Sequence, residues 1–291
     1  MTLFTGLAAF PLTPTTPSGE IVEHDLRQLV RRIEESGADS IGLLGSTGTY
    51  MFLTRAERRR AIEVATSAAP DIPIIVGVGA LRTDDVQAHA RDAAAAGAAG
   101  LLLAPASYTP LTEEEVFQHF VAVASVTDLP ICIYSNPDTT NFTFKPDFVA
   151  RLATLPTVMA IKLPLPDDGD IASDLSLFRA AAPRLVIGYS GDWGCKDALL
   201  AGADCWYSVA AGLFPAPCVA LTKAARASDA GEAERLDQRL DSLWDLFRTY
   251  GSLRVIYAAA NLLGLTGAQP PRPILGLGDA LTLRLKSALP L

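Results

Sequence analysis

Three short segments carry side chains that together could perform carbonyl chemistry, and the first of them is centred on Lys162. This lysine follows the apolar run of residues 158–161, and it alone of the five lysines ends such a run. An amine placed there loses hydration, which disfavours its charged form and leaves a nucleophile able to attack a carbonyl carbon. The sequence therefore predicts that Lys162 is a nucleophile. The alternative is a structural lysine paired with a carboxylate at the strand end.

The second segment ends at Tyr134, directly after the apolar run of residues 131–133. Forming a carbinolamine, dehydrating it and cleaving a carbon–carbon bond each require that a proton moves at the substrate. An amine with a nearby phenol is therefore a chemically sufficient pair. Taken alone, Tyr134 would be interpreted as a packing residue.

The third segment is the loop Gly45-Ser46-Thr47-Gly48, which follows another apolar run. Its two glycines allow the backbone to approach a ligand, and its two hydroxyls stand beside backbone N–H groups. Such a loop can hold a carboxylate without any arginine. As a bare string the motif is common in turns, so its value depends on where the fold places it.

The elements that must position these segments follow the pattern of parallel strands joined by helices. Eight evenly spaced runs, without a Gly-rich phosphate fingerprint after the first, predict an α/β fold that closes as a (β/α)8 TIM barrel rather than a doubly wound sheet. Polar residues that end barrel strands are the candidates for the active site, because such sites form at the C-terminal ends of the strands. The predicted strands are Phe4 to Phe10, Ser40 to Leu44, Ile72 to Val78, Gly100 to Leu103, Pro130 to Tyr134, Val158 to Lys162, Leu185 to Gly188 and Cys205 to Val209.

The strand signals stop after about residue 227. We therefore predict a catalytic barrel over residues 1–227 and a helical C-terminal extension over residues 228–291. Its helices are expected at Asp229 to Thr249, Leu253 to Leu263 and Asp279 to Leu289. Leucine and aromatic residues at helical spacing, at 236, 240, 243, 246 and 247, indicate that the extension packs against the barrel.

Composition excludes several classes of function. The net charge is −8, and no Lys/Arg cluster of the kind that binds phosphates is present, so a nucleic-acid partner is not expected. The chain shows neither a signal peptide nor an apolar run long enough to cross a bilayer, which predicts a cytoplasmic protein without a membrane partner. The four cysteines have no CxxC spacing and are expected to be core thiols, and the three histidines lack a partner at ligand spacing. We expect no metal and no cofactor.

Taken in order, these segments resemble the dihydrodipicolinate synthase/N-acetylneuraminate lyase family of Schiff-base-forming aldolases over essentially the whole chain. The resemblance implies that Lys162 forms a Schiff base with a 2-oxo acid such as pyruvate, that Tyr134 shuttles protons, and that Ser46 and Thr47 bind the carboxylate. It also implies a homotetramer built as a dimer of dimers. The motifs that carry it are residues 45–48, Leu53-Thr54 with Glu57-Arg58, residues 77–79, 97–105, Tyr134 with Pro137, Ile161-Lys162, Gly188 and residues 202–204. Catalysis is assigned to Lys162, Tyr134 and Ser46, and substrate binding to Thr47, Gly45, Gly48, Tyr108, Tyr207, Gly188 and Thr139.

Two departures from the synthase pattern concern the second substrate and the dimer. The synthases place a Pro-Tyr-Tyr after strand four, whose second tyrosine completes a relay across the dimer. Here the segment reads Pro105-Ala106-Ser107-Tyr108, so either Tyr108 or Ser107 takes that place. The synthases also place an arginine after the catalytic tyrosine, whereas residues 135–140 contain none. Losing a bidentate carboxylate clamp costs several kcal/mol of binding, which argues against aspartate semialdehyde as the acceptor.

Other departures reshape the mouth of the expected site. Thr49 replaces a glutamate, the segment after Lys162 reads Leu-Pro-Leu-Pro, and Trp206-Tyr207 replaces small aliphatic residues, which predicts a narrower, aromatic pocket. We therefore expect a lyase that adds, cleaves or dehydrates a 2-oxo-3-deoxy sugar acid or another 4-hydroxy-2-oxo acid. One alternative is dihydrodipicolinate synthase activity. The other is a non-catalytic 2-oxo-acid-binding protein, and the Lys162–Tyr134 pair argues against this second alternative.

Overall fold

The computed structural model describes residues 3–290, apart from the side chains of residues 279 and 280. Eight parallel strands pair in sequence order, and β1 pairs with β8, so the sheet closes into a barrel. This confirms the predicted TIM barrel, and every predicted strand is present. The strands are β1 Gly6–Ala9, β2 Ser40–Leu43, β3 Ile74–Gly77, β4 Gly100–Leu103, β5 Ile131–Tyr134, β6 Val158–Leu163, β7 Val186–Tyr189 and β8 Cys205–Ser208.

Helices connect the strands on the outside of the barrel. Two of them begin with capping boxes, Thr54 with Glu57 and Thr112 with Glu115. Two short helices, rather than one, connect β5 to β6. In chain order the helices are α1 Glu23–Ser36, α2 Arg55–Ala68, α3 Thr83–Ala95, α4 Glu113–Ala124, α5 Pro137–Thr140, α6 Pro146–Leu152, α7 Ile171–Ala181, α8 Cys195–Leu200 and α9 Pro215–Arg226.

The C-terminal segment is helical, as predicted, but its first helix is broken. The stretch expected as one helix forms α10 Ala230–Gln238 and α11 Asp241–Tyr250, followed by α12 Ser252–Leu262 and α13 Asp279–Ala288. Across the break, the Trp244 indole N–H donates to Asp237 at 2.8 Å, and Leu240 is buried in the turn. No glycine or proline marks this position, which is why the sequence predicted one continuous helix. Within residues 3–290, no helix combines the length and apolarity needed to cross a membrane.

The barrel separates two layers of buried side chains. An outer layer fills the space between strands and helices, and an inner layer fills the lumen. Tyr207 points into the lumen, whereas Trp206 points outward and lies 6.5 Å from the Trp244 ring. The expectation that both aromatics narrow the mouth is therefore wrong for Trp206, because successive side chains of a strand face opposite sides. The lumen layer consists of Phe4, Ala8, Phe10, Ile75, Leu102, Ala104, Cys132, Tyr134, Ala160, Cys205 and Tyr207.

One irregularity in strand pairing determines which side chains meet at the top of the barrel. Along β5 and β6, Ile131 pairs with Val158 but Cys132 pairs with Ala160, so Met159 is an extra, bulged residue. A regular register would have paired Tyr134 with the residue before Lys162. The bulge brings Tyr134 opposite Lys162, and both side chains lie on the inner side of the barrel.

A close backbone contact fixes the loop that follows β2. Leu44 adopts a left-handed conformation with φ of 56°, and its carbonyl oxygen lies against Gly77 at the end of β3. A Cβ atom at position 77 would lie 1.9 Å from that oxygen. Only glycine permits this approach, so β3 helps to position the 45–48 loop.

Candidate active site

Lys162 and Tyr134 form the centre of the site at the C-terminal end of the barrel. The Lys162 Nζ lies 3.8 Å from the centroid of the Tyr134 ring and 5.4 Å from that of Phe10. Both Lys162 and Tyr134 are 6% exposed. The structure therefore brings the predicted nucleophile and the predicted proton donor together. Lys162 forms no salt bridge with another residue of the described chain, which weakens the alternative of a structural ion pair.

The Tyr134 hydroxyl has two further polar neighbours. It forms a hydrogen bond with the Ser46 hydroxyl at 2.9 Å, and it accepts one from the Asn136 side-chain amide at 3.1 Å. Ser46 was predicted from the 45–48 loop, whereas Asn136 was not predicted to belong to the site. Its position two residues beyond the end of β5 was the available signal, since polar residues at strand ends are the candidates in this fold.

These neighbours change the acidity of the phenol. Burial by itself raises the pKa of Tyr134, but the positive charge of Lys162 and the hydrogen bonds from Ser46, Lys162 and Asn136 outweigh it and lower the pKa below its usual range. Nearby Tyr50 shows the opposite result, because burial raises its pKa to about 12. A phenol with a lowered pKa exchanges its proton more readily, which suits a proton shuttle.

The 45–48 loop is held in an uncommon backbone conformation. Leu44 and Thr49, which flank it, have φ values of 56° and 53°, and the Thr49 N–H donates to the Ser46 carbonyl at 3.0 Å. Gly45 faces the Phe10 ring, where a Cβ atom would lie 2.7 Å from the ring edge. Backbone strain of this kind persists where the surrounding contacts enforce it, and it is common at ligand sites.

The rest of the loop turns tightly at Gly48 and places its two hydroxyl groups differently. A Cβ atom at Gly48 would lie 3.0 Å from the Leu44 Cα, so the loop turns tightly there. Thr47 is buried and Ser46 is partly exposed, so the two hydroxyls differ in their access to solvent.

Tyr207 and Gly188 line the lumen beside the site. The Tyr207 hydroxyl lies 3.4 Å from the Cys132 Sγ, and its ring packs edge-on against Phe10 at 6.1 Å. A Cβ atom at Gly188 would lie 2.6 Å from the Tyr207 ring, so this glycine makes room for it. Burial raises the pKa of Tyr207 well above its usual value, which leaves it a neutral wall of the lumen rather than a proton donor.

Two predicted substrate-binding residues lie away from this cluster in the described chain. Tyr108 is 93% exposed, and Thr139 is exposed with its hydroxyl donating to the Asn136 carbonyl at 3.3 Å. Neither side chain is brought to Lys162 or Tyr134. Phe10, in contrast, was not predicted to belong to the site, although it ends a predicted strand. Its ring lies against Gly45, Lys162 and Tyr207.

One loop at the rim of the barrel, the loop that follows β6, carries negative charge. No arginine occurs between Tyr134 and Lys145, and three exposed aspartates, Asp167, Asp168 and Asp170, follow β6. On the same loop Leu165 packs against the backbone after β7, where a Cβ atom at Gly194 would lie 2.6 Å from its side chain. The loop after β6 therefore presents carboxylates and one apolar side chain at the C-terminal end of the barrel.

Other reactive groups are placed for packing. All four cysteines are buried and unpaired, as predicted, and burial raises the pKa of Cys132 to about 12. His24, His89 and His119 lie on α1, α3 and α4. Across residues 3–290, no group of three or more His, Cys, Asp or Glu side chains is arranged to hold a metal ion.

The chain is similar to known proteins in both sequence and structure. The sequence model described as the dihydrodipicolinate synthetase family matches residues 3–290. The chain is 31% identical over 281 residues to a 4-hydroxy-tetrahydrodipicolinate synthase of Alcanivorax borkumensis, covering 96% of this chain and 94% of that one. The crystal structure of a dihydrodipicolinate synthase from Agrobacterium tumefaciens superposes with a TM-score of 0.95 at 53% identity, covering 98% of this chain and 97% of that one. A chloride-inhibited dihydrodipicolinate synthase from Acinetobacter baumannii, complexed with pyruvate, gives a TM-score of 0.90 at 27% identity, covering 99% and 98%.

Proposed function

The chain belongs to the dihydrodipicolinate synthetase family and is a Schiff-base-forming lyase, and from this premise we propose that Lys162 captures pyruvate or a related 2-oxo acid. The observation that carries the assignment is the buried contact between the Lys162 Nζ and the Tyr134 ring at 3.8 Å. Pyruvate is the ligand named for the Acinetobacter relative. A protein that only bound an oxo acid would not need an amine beside a phenol of lowered pKa.

Covalent capture begins when the neutral Lys162 amine attacks the C2 carbonyl. A carbon–nitrogen bond forms, the carbonyl oxygen takes up a proton, and the nitrogen releases one, which gives a carbinolamine. The hydroxyl then takes a second proton and leaves as water, so an iminium ion remains. Each step moves a proton at an atom near Tyr134, whose hydroxyl bonds to Ser46 and can exchange protons along that pair.

The iminium ion withdraws electrons from the substrate and acidifies its C3 position. In the synthetic direction, loss of a C3 proton gives an enamine, whose C3 atom forms a carbon–carbon bond to an aldehyde while the aldehyde oxygen takes up a proton. In the cleavage direction, that carbon–carbon bond breaks, the aldehyde leaves, and the enamine takes up a proton at C3. The 45–48 loop is proposed to hold the carboxylate through Ser46, Thr47 and backbone N–H groups. Such a site aligns the carbonyl with Lys162 without requiring a second cation.

We propose that the aldehyde partner lacks a carboxylate. The segment after Tyr134 offers no arginine, and the exposed carboxylates of Asp167, Asp168 and Asp170 repel a second anion at the rim. Neutral hydroxyl groups on a 2-oxo-3-deoxy sugar acid or another 4-hydroxy-2-oxo acid suit this surface better. The second candidate is 4-hydroxy-tetrahydrodipicolinate synthase activity, which the names of the relatives favour.

A homotetramer built as a dimer of dimers, acting in the cytoplasm, is part of the same proposal. Four large apolar side chains near the loops after β2, β3 and β4 are strongly exposed in the single chain, and a second copy would cover them. The unpaired thiols suit a reducing compartment. The exposed side chains are Met51, Phe52, Leu81 and Tyr108.

The first test is mass spectrometry of the intact protein after treatment with pyruvate and sodium borohydride, followed by peptide mapping. We expect one covalent adduct, on Lys162, and no adduct in Lys162→Ala. Lys145→Ala removes an exposed lysine at the start of α6 and is the matched control, which should still trap pyruvate. An adduct that persists in Lys162→Ala would reject the assignment of the nucleophile.

A second test separates the two candidate reactions. The enzyme is supplied with pyruvate and either aspartate semialdehyde or neutral hydroxyaldehydes, and products are followed by mass spectrometry. We expect a higher kcat/KM with a neutral aldehyde. A preference for aspartate semialdehyde would instead establish the synthase reaction and would show that the rim aspartates do not govern selection.

A further inference from the structure

A buried side chain of the C-terminal segment reaches the residues that border the 45–48 loop. Tyr257, on α12, donates its hydroxyl proton to the Thr13 carbonyl at 3.3 Å. The Thr49 side chain forms a second hydrogen bond with the same hydroxyl. Because a phenol has a single proton to donate, the Thr49 hydroxyl is the donor in this second bond. One phenol therefore joins α12 to two segments of the barrel.

Thr13, the first of these partners, lies directly against the loop. It follows β1 in the chain and is fully buried. A Cβ atom at Gly48 would lie 3.1 Å from the Thr13 hydroxyl oxygen. Because protein interiors are close-packed, a shift of Thr13 would displace the loop at Gly48.

Thr49, the second partner, has a backbone conformation that needs support. Its φ of 53° lies in the left-handed region, which β-branched residues rarely adopt. Within the loop, its N–H donates to the Ser46 carbonyl at 3.0 Å, and its own carbonyl accepts from the Phe52 N–H at 2.9 Å. Such a conformation persists only where surrounding contacts enforce it. The Tyr257 hydroxyl supplies such a contact from outside the loop.

The helix that carries Tyr257 is itself tied to the barrel. One turn later, the Asn261 amide donates to the carbonyls of Tyr257 and Ala268, both at 2.8 Å. Beyond the end of α12, the Thr266 hydroxyl donates to the Asp25 carboxylate on α1 at 2.6 Å. These bonds fix the position of α12, so that Tyr257 is a rigid support rather than a mobile side chain.

We propose that Tyr257 is a positioning residue of the oxo-acid site, whose hydroxyl holds Thr13 and Thr49 and thereby keeps the 45–48 loop in the conformation that binds the substrate carboxylate. The helical C-terminal segment thus contributes to substrate binding without touching the substrate. The inference rests on the proposed function, because the carboxylate site is part of it.

The effect of Tyr257 is that of a neutral hydrogen-bonding group. Burial raises its pKa to about 12, although the bond from Thr49 partly opposes the rise, so the phenol keeps its proton at neutral pH. It has no part in the proton steps at Lys162. Its loss should therefore weaken binding of the oxo acid and leave formation of the covalent adduct possible.

The first measurement is borohydride trapping at graded pyruvate concentrations with the full chain. In Tyr257→Phe, which removes only the hydroxyl, we expect the half-saturating concentration to rise roughly fivefold, the scale of one neutral hydrogen bond. Trapping on Lys162 at saturating pyruvate should remain complete.

Substitutions at Thr49 test whether the bond between the two hydroxyls is responsible. Thr49→Val should raise the half-saturating concentration in the same way, whereas Thr49→Ser retains a hydroxyl and should bind pyruvate as the wild type does. Combined with Tyr257→Phe, Thr49→Val should add little, because both substitutions remove the same bond. Effects that multiply in the double variant would show that the two hydroxyls act independently and would reject the proposed contact.

The second measurement follows the loop itself in the ligand-free protein. Hydrogen exchange of a peptide covering residues 44–50, measured by mass spectrometry, should be faster in Tyr257→Phe. The matched control is Tyr189→Phe, since the Tyr189 hydroxyl is also lost from a buried phenol and donates to Asp174 on α7 at 2.6 Å. We expect this control to change neither the exchange of the loop nor the half-saturating pyruvate concentration.

Failure of the inference is distinguishable from failure of the proposed function. If the wild type traps pyruvate on Lys162 and Tyr257→Phe leaves either the half-saturating concentration or the loop exchange unchanged, the positioning role is rejected and the Schiff-base function stands. Equal changes in Tyr189→Phe would also reject it, because they would reflect a general loss of stability. If the wild type traps no oxo acid, the proposed function fails, and the exchange measurement still decides whether Tyr257 holds the loop.

Discussion

Tyr134 and Lys162 are register partners on adjacent strands of the barrel, and the Lys162 Nζ lies 3.8 Å from the Tyr134 ring centroid. Their pairing depends on the single extra residue at Met159, since the unbulged register would place Tyr134 opposite Ile161. Bulges of this kind reorient side chains next to active sites. The reactive pair is therefore a product of strand register as well as of residue type.

Removing the phenol hydroxyl should slow the reaction strongly. In Tyr134→Phe we expect kcat to fall roughly a hundredfold or more, the usual scale for a general acid–base group. Because the Lys162 charge and the hydrogen bonds lower the pKa of Tyr134 against the opposing effect of burial, the ionisation lost in this variant should lie below the usual value of 10. Steady-state kinetics across pH measure both quantities. An unchanged rate would leave Tyr134 as a packing residue.

Loss of the Ser46 hydroxyl should weaken capture of the oxo acid. In Ser46→Ala we expect the apparent affinity for pyruvate to drop roughly tenfold, the scale of one hydrogen bond to a charged group. Borohydride trapping at graded pyruvate concentrations measures it. Ser176→Ala, on the exposed face of α7, is the control and should bind as the wild type does. Full affinity in Ser46→Ala would remove this residue from the carboxylate site.

A methyl group at position 77 should disturb both stability and binding. The Cβ atom of Gly77→Ala would meet the Leu44 carbonyl at 1.9 Å, so the 45–48 loop must move. We expect a loss of about 1–3 kcal/mol in the free energy of unfolding, typical of overpacking, together with weaker pyruvate binding. Urea denaturation measures the first effect. Gly267→Ala, which adds its Cβ where nothing lies within 4 Å, should show neither effect.

The buried carboxyl of Asp192 should make stability depend on pH. Burial raises its pKa from 3.8 to about 6, although bonds from Ser208, Ala210, Trp206 and Val209 partly oppose the rise. Between these values the folded state binds a proton that the unfolded state releases. The free energy of unfolding should therefore fall as pH rises from about 4 to about 6.

Asp192→Asn isolates this contribution, because its amide does not titrate. Urea denaturation of both proteins across that pH range gives the difference in unfolding free energy, which should decline for the wild type relative to the variant with increasing pH. A constant difference would mean that the Asp192 carboxyl has the same pKa in the folded and unfolded states.

Local patterns in the sequence were sufficient to predict the strands and to select the candidate residues that the structure brings together. Lys162 and Tyr134 each end an apolar run, the 45–48 loop follows one, and the ends of parallel strands meet at one face of a closed barrel. The capping boxes at Thr54 and Thr112 were equally visible, because a cap depends on residues three positions apart. Periodicity depends only on residues close together in the chain, so it can be recognised without knowledge of the tertiary structure.

Contacts between distant segments could not be obtained in this way. Phe10 joins the site, Trp206 turns outward to Trp244, and the helix expected at 229–249 breaks at Leu240. None of these follows from neighbours in the chain.

The sequence by itself determined the barrel, its Schiff-base lysine candidate and the phenol beside it. The reason is that apolar runs, and the polar residues that end them, can be recognised from the order of neighbouring residues. The tertiary structure alone decided which groups bond to the Tyr134 hydroxyl and which residues face the lumen. The reason is that both depend on strand register, and a one-residue shift exchanges the partner and the facing side of every side chain that follows.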